Sequence, residues 1–94
     1  MTVAHEEHDG RGSFFVERDG ERIGEMTYQR IGDALIRIDH TEVKSSLRRQ
    51  GIARTLLDAA VAYARQNGTR IVSRCPYVTA QFERDATLAD VRDL

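Results

Sequence analysis

The sequence predicts a mixed α/β (α+β) domain in which an antiparallel meander of three to four strands is followed by a loop, a helix and a parallel strand. Three observations predict it. Extended stretches follow one another across the tight-turn dipeptides Asp19-Gly20 and Gly32-Asp33. A long amphipathic pattern then runs from Ile52 to Gln66 and stops at Asn67-Gly68. A short β-branched run, Thr69 to Arg74, comes directly after it. A strand that returns to the same sheet through a helix lies parallel to the strand before it, with a right-handed crossover.

Each element has its own signal. Residues 1–12 are polar and punctuated by glycine, with only Val3-Ala4 hinting at an edge strand, so this stretch is expected to be partly disordered or a sheet edge. Ser13 to Arg18 and Glu21 to Ile31 are the two arms of a hairpin about Asp19-Gly20, and Ala34 to Thr41 is the next strand. Phe14, Val16, Ile23, Met26, Ile36 and Ile38 are its expected core contributors. In the helical stretch, Ala53, Leu56, Leu57, Ala60, Val61 and Ala64 recur at the offsets of one face. Pro76 ends the last strand, Tyr77 to Arg84 fits a short helix, and Asp85 to Leu94 is expected to add a helical turn or two. Tyr28, Tyr63 and Phe82 read as packing residues, with Tyr63 on the polar side of the long helix the least explained.

Composition narrows the function classes. Ninety-four residues suit one domain with room for a sheet and one or two helices. No apolar run approaches the roughly 20 residues a bilayer crossing needs, and the first residues show no basic segment followed by an apolar one, so a cytoplasmic protein is expected. Cys75 is the sole cysteine, which excludes an internal disulfide and cysteine-rich zinc sites; no metal is expected. A net charge of −1 offers no general attraction to nucleic acid or to anionic membrane. Anion binding has to be local.

The local site is the turn Arg48-Arg49-Gln50-Gly51-Ile52-Ala53. It feeds straight into a helix N-terminus, whose first N–H groups lack internal partners and carry the positive end of the helix dipole. Gly51 and Ala53 keep side-chain bulk away from the main chain, and Arg48, Arg49 and Arg54 surround the spot with positive charge.

These six residues resemble the acetyl-CoA pyrophosphate loop of the GNAT superfamily of N-acetyltransferases, which reads Gln or Arg, two free positions, Gly, one free position, then Gly or Ala. The order of elements around the loop agrees. His40-Thr41-Glu42-Val43 before the loop and Cys75-Pro76 after the next strand resemble the minimal, single-domain members of that superfamily.

The resemblance implies acetyl-CoA as cosubstrate, with the diphosphate on Arg48, Arg49, Gln50, Gly51, Ile52, Ala53 and Arg54 and the pantetheine arm along Glu42 and Val43. It implies a primary amine of a small molecule, peptide or protein as acceptor. Cys75 would lie near the thiol end, either to carry the acetyl group or to line the pocket. His40 is the expected proton acceptor, since a histidine with an ordinary pKa of ~6.5 suits an amine near neutral pH; Asp39 and Glu42 are alternatives. Tyr77 stands near the segment that often supplies a proton to the leaving thiolate. Two other classes compete: a CoA-binding module without catalysis, and a small nucleic-acid binder using its arginines, which the neutral overall charge disfavours. The residues do not identify the acceptor, the route of transfer or the oligomeric state.

Overall fold

Two Asp-Gly turns, Asp9-Gly10 and Asp19-Gly20, have both residues at positive φ, the geometry that matches the twist of a two-residue hairpin. In the computed structural model, which describes all 94 residues, they join β1 (Ala4–His8) to β2 (Arg11–Arg18) and β2 to β3 (Glu21–Gly32). A third turn leads to β4 (Leu35–Val43). After a 3₁₀ turn at Ser45–Leu47 come α1 (Ile52–Asn67), β5 (Arg70–Ser73) and α2 (Pro76–Arg84). The sheet order is β1-β2-β3-β4-β5, with β4 and β5 parallel and the rest antiparallel. The expected mixed α/β class is therefore the observed one, with the meander at four strands.

The first twelve residues include an ordered edge strand, β1, packed by more than backbone pairing. His5 stacks on Phe14 at 4.2 Å between ring centroids, and Tyr63 meets both rings edge-on. Tyr63 Oη also accepts a hydrogen bond from Arg30 at 2.6 Å, which explains an aromatic residue on the polar side of α1. Tyr28 Oη donates to Glu7 at 2.6 Å and lies 2.6 Å from His5 Nε2. One phenol has one proton, so His5 Nε2 carries its own and donates it to Tyr28. Gly12 makes room for this cluster, because a Cβ there would fall 2.2 Å from the Tyr28 ring.

Partial burial, helped by the Arg30 charge and opposed by Glu7, holds the His5 pKa below its ordinary 6.5. The unfolded chain therefore binds the proton first as pH drops, and the contribution of neutral His5 to stability is present above pH 6.5 and lost below it. Denaturant midpoints measured at pH 7.5 and pH 5.5 should fall more for wild type than for His5→Gln, which has no ring to protonate. Equal falls would contradict this packing.

All six expected core residues are buried, and with α1 and α2 they form one cluster of nineteen. Both helices lie on one face of the sheet, tied side by side by Arg54 of α1, which donates to Asp58 at 2.9 Å, Gln81 at 2.8 Å and Asp85 at 2.5 Å. Beyond α2 the expected helical turns shrink to a 3₁₀ turn, Ala86–Leu88. The chain then turns extended. Ile71 N donates to Val91 O at 2.7 Å and Asp93 N donates to Ile71 O at 2.8 Å, so this segment covers the outer edge of β5. The correction has a plain cause: Ile71 would otherwise leave its backbone groups unpaired in the interior, where they are costly.

Candidate active site

Strands β4 and β5 pair only from Leu35↔Arg70 to Ile38↔Ser73, with Arg74 N donating to Ile38 O at 2.8 Å at the end of the ladder. β4 continues for five more residues without a neighbour on that side. On its other side Lys44 N bonds Ile23 O of β3, so alternation turns the backbone groups of Thr41 and Val43 toward the gap. A gap lined by a strand's unpaired N–H and C=O groups accepts an extended amide-bearing chain as a strand would.

At the end of that gap lies the loop. None of the main-chain N–H groups of Arg48 to Arg54 has an acceptor in the protein; the first to find one is Thr55 N, on Gly51 O at 3.0 Å. Arg49 and Gly51 both adopt the left-handed conformation, at φ 69° and 80°, which turns successive N–H groups to one side. Close approach of a ligand is one reason for a glycine at position 51. The backbone supplies another, since a side chain there is strained whatever space surrounds it. Seven free donors at the start of a sixteen-residue helix suit a diphosphate.

Side chains sort less simply than the sequence suggests. Arg48 and Arg49 have no hydrogen-bond or ion-pair partner in the protein and border the groove beside the loop with Val43, Leu47, Ile52 and Tyr77. Arg54 is different, with all its nitrogens engaged by Asp58, Gln81 and Asp85. Those bonds raise its pKa, with Asp58 first, and bonds from Thr87 and then Arg54 hold the Asp85 carboxyl down at about 2. The guanidinium is committed to joining α1 and α2, so Arg54 offers the loop its main-chain N–H. Ala53 has only a methyl and can offer the loop nothing but its backbone.

Loop placement depends on a residue that carries no mark of function in the sequence. Gly24 of β3 faces α1, and a Cβ there would sit 2.7 Å from Ile52 Cγ2 and 3.4 Å from Leu56 Cδ1. The absent side chain lets the N-terminus of α1 come down onto the sheet. A glycine within a strand is the only signal, and it is read as a close approach.

His40 and Cys75 are not brought together. Thr27 pairs with His40 but Tyr28 pairs with Ile38, so Asp39 is an extra residue and β4 carries a bulge there. The bulge reverses the alternation. Ile38, Thr41 and Val43 face the helices, Thr41 standing opposite the fully buried Met26, while His40 and Glu42 face away. Asp39 pairs with Arg37 at 2.6 Å and His40 lies 3.9 Å from Glu42. Cys75, 3% exposed, has its Sγ 3.3 Å from Thr41 Oγ1 on the helix side. Tyr77, one residue into α2, borders the gap beside Thr41 and Val43, and burial raises its pKa.

Known proteins share the sequence pattern and the fold. The sequence matches the profile of a family described as GCN5-related N-acetyl-transferase over residues 13–91. It is similar to a GCN5-like protein from Staphylococcus aureus, at 27% identity over 96% of this chain and 87% of that one, with a TM-score of 0.71. The fold is also similar to a ribosomal-protein alanine N-acetyltransferase from Escherichia coli (16% identity, 83% of this chain and 53% of that one, TM-score 0.68). An aminoglycoside N-acetyltransferase solved in complex with CoA shares it too (21% identity, 86% and 68%, TM-score 0.57). The chain thus spans most of the staphylococcal protein and about half of the Escherichia coli one. No curated protein matches the sequence.

Proposed function

The chain belongs to the GCN5-related N-acetyltransferase family, and on that premise we propose that it transfers an acetyl group from acetyl-CoA to a primary amine arriving on the sheet face opposite α1. The observation that carries the reading is the run of free main-chain N–H groups from Arg48 to Arg54 placed at the mouth of the gap beside β4. In this reading those groups hold the diphosphate, with Arg48 and Arg49 adding charge, and the backbone of Thr41 and Val43 orients the pantetheine arm as it passes Glu42. Acetyl-CoA supplies a thioester whose carbonyl carbon an amine can attack. The Val43 N–H, turned into the gap, is the donor for negative charge that grows on the thioester oxygen.

His40 stands on the open face of β4 and Cys75, between β5 and α2, meets Thr41 on the helix face, so His40 does not reach the Cys75 proton. That favours direct transfer over an acetyl-cysteine. His40 takes a proton from the incoming ammonium, the amine forms the new C–N bond as C–S breaks, and the second proton that the nitrogen sheds goes to the leaving thiolate, which departs as the CoA thiol. Cys75 stays buried beside Thr41. The helix-free sheet face is broad and polar, which suits an amine on a peptide or protein as readily as one on a small molecule.

His40→Gln should lower kcat by about 100-fold with little change in acetyl-CoA affinity, a typical loss for a general base. Cys75→Ala should retain turnover. Saturable acetyl-CoA binding with no turnover on any amine or peptide would favour a non-catalytic CoA-binding module instead.

A further inference from the structure

Where β4 and β5 part, two side chains still bridge them. The ladder ends at Ile38 and Ser73, yet Thr41 Oγ1 and Cys75 Sγ meet 3.3 Å apart across the opening. Cys75 belongs to the same packed core as Val78 and Ile38, both 0% exposed, and Phe82. The groove that runs along β4 from Val43 to His40 has Thr41 in its wall, and no cavity reaches Cys75.

The wall is also braced. Ser73 Oγ donates to Cys75 O at 3.0 Å and takes the Thr79 hydroxyl proton at 2.8 Å, while Thr79 N donates to the same carbonyl at 3.0 Å. This turn fixes Cys75 between β5 and α2, so the sulfur does not swing aside easily. A packed interior answers one extra methylene with off-rotamer side chains and shifted backbone.

Resting on the acetyl-transfer reading above, we propose that Thr41 and Cys75 together set the acyl length the protein accepts, closing the floor of the β4–β5 gap to chains longer than a short acyl group. An acetyl group presents a single methyl to this floor. A butyryl chain presents two further methylenes that have nowhere to pack. The gate discriminates by exclusion, and its selectivity belongs to the donor side of the reaction, independent of which amine is the acceptor.

Calorimetric binding of CoA, acetyl-CoA and butyryl-CoA to wild type, Thr41→Ala and Cys75→Ala tests this without an acceptor. Wild type should bind butyryl-CoA about 10-fold or more weakly than acetyl-CoA, the lower end of the overpacking cost. The ratio should fall toward unity in either variant, because each removes atoms from the floor. Equal affinities for acetyl- and butyryl-CoA in wild type, or an unchanged ratio in both variants, would overturn the gate while leaving acetyl transfer intact. Failure of wild type to bind CoA itself would overturn the acetyl-transfer reading, and the gate with it.

Discussion

Gly51→Val is expected to weaken CoA binding by about 100-fold while the protein stays folded. Two effects should be separable. At φ 80° a β-branched residue is strained by about 1–2 kcal/mol, which the native backbone can shed only by leaving the left-handed conformation. Doing so turns at least two of the loop N–H groups off their common direction. Each hydrogen bond to a charged group contributes about 1.5–3 kcal/mol, so losing two accounts for roughly two orders of magnitude in affinity. Gly20 is the matched control, since it has the same φ of 80° and equally open surroundings but lies in the β2–β3 turn. Gly20→Val should lose similar stability and keep its affinity for CoA. Parallel losses of affinity in both variants would mean that strain, and not the donor array, is being measured.

Gly24→Ala should destabilise the fold by about 1–3 kcal/mol, the usual cost of forcing an extra carbon into a packed interface. The added Cβ has no retreat, because the atom it meets, Ile52 Cγ2, is fixed next to the helix backbone and Ile52 is 1% exposed. Either α1 lifts from β3 or Ile52 leaves its rotamer. The first route displaces the loop, so CoA affinity should drop as well, although Gly24 lines no part of the loop groove. Ile52→Ala removes the clashing methyl, and the double variant should lose less stability than the sum of the two single changes. Strict additivity would mean that the two side chains do not compete for the same space.

The class of fold and the position of the loop are legible in the sequence for a definite reason. Helical periodicity from Ala53 to Ala64, the Asn67-Gly68 stop and the Asp19-Gly20 turn are local signals, and each is visible within a few residues. Asp9-Gly10 carries the same turn signal but stands beside β1, which is wholly exposed and has no apolar alternation to announce a strand. His5 looks like part of a frayed end for the same reason, although a ring 23 residues away holds it. Long-range partners leave no mark in a local window.

The site shows the same division. The free N–H groups follow from a turn entering a helix, so the sequence alone names their residues. It does not name the face on which His40 stands, because regular alternation from Ile36 and Ile38 would send it to the core and only the bulge at Asp39 turns it outward. Charge and position alone group Arg54 with the phosphate ligands. Asp85, 31 residues on, decides its side chain's role instead. Gly24 is one more glycine in a strand until α1 is laid above it.

Main-chain recognition of a diphosphate is the claim on which the rest depends, and amide-resolved NMR during a CoA titration reads it directly. The account predicts saturable shifts of the Arg48 to Arg54 amides, with Thr41 and Val43 following along the gap, and no comparable change in the β1–β2 or β2–β3 turns. A protein that binds CoA while those loop amides stay where they were would contradict it.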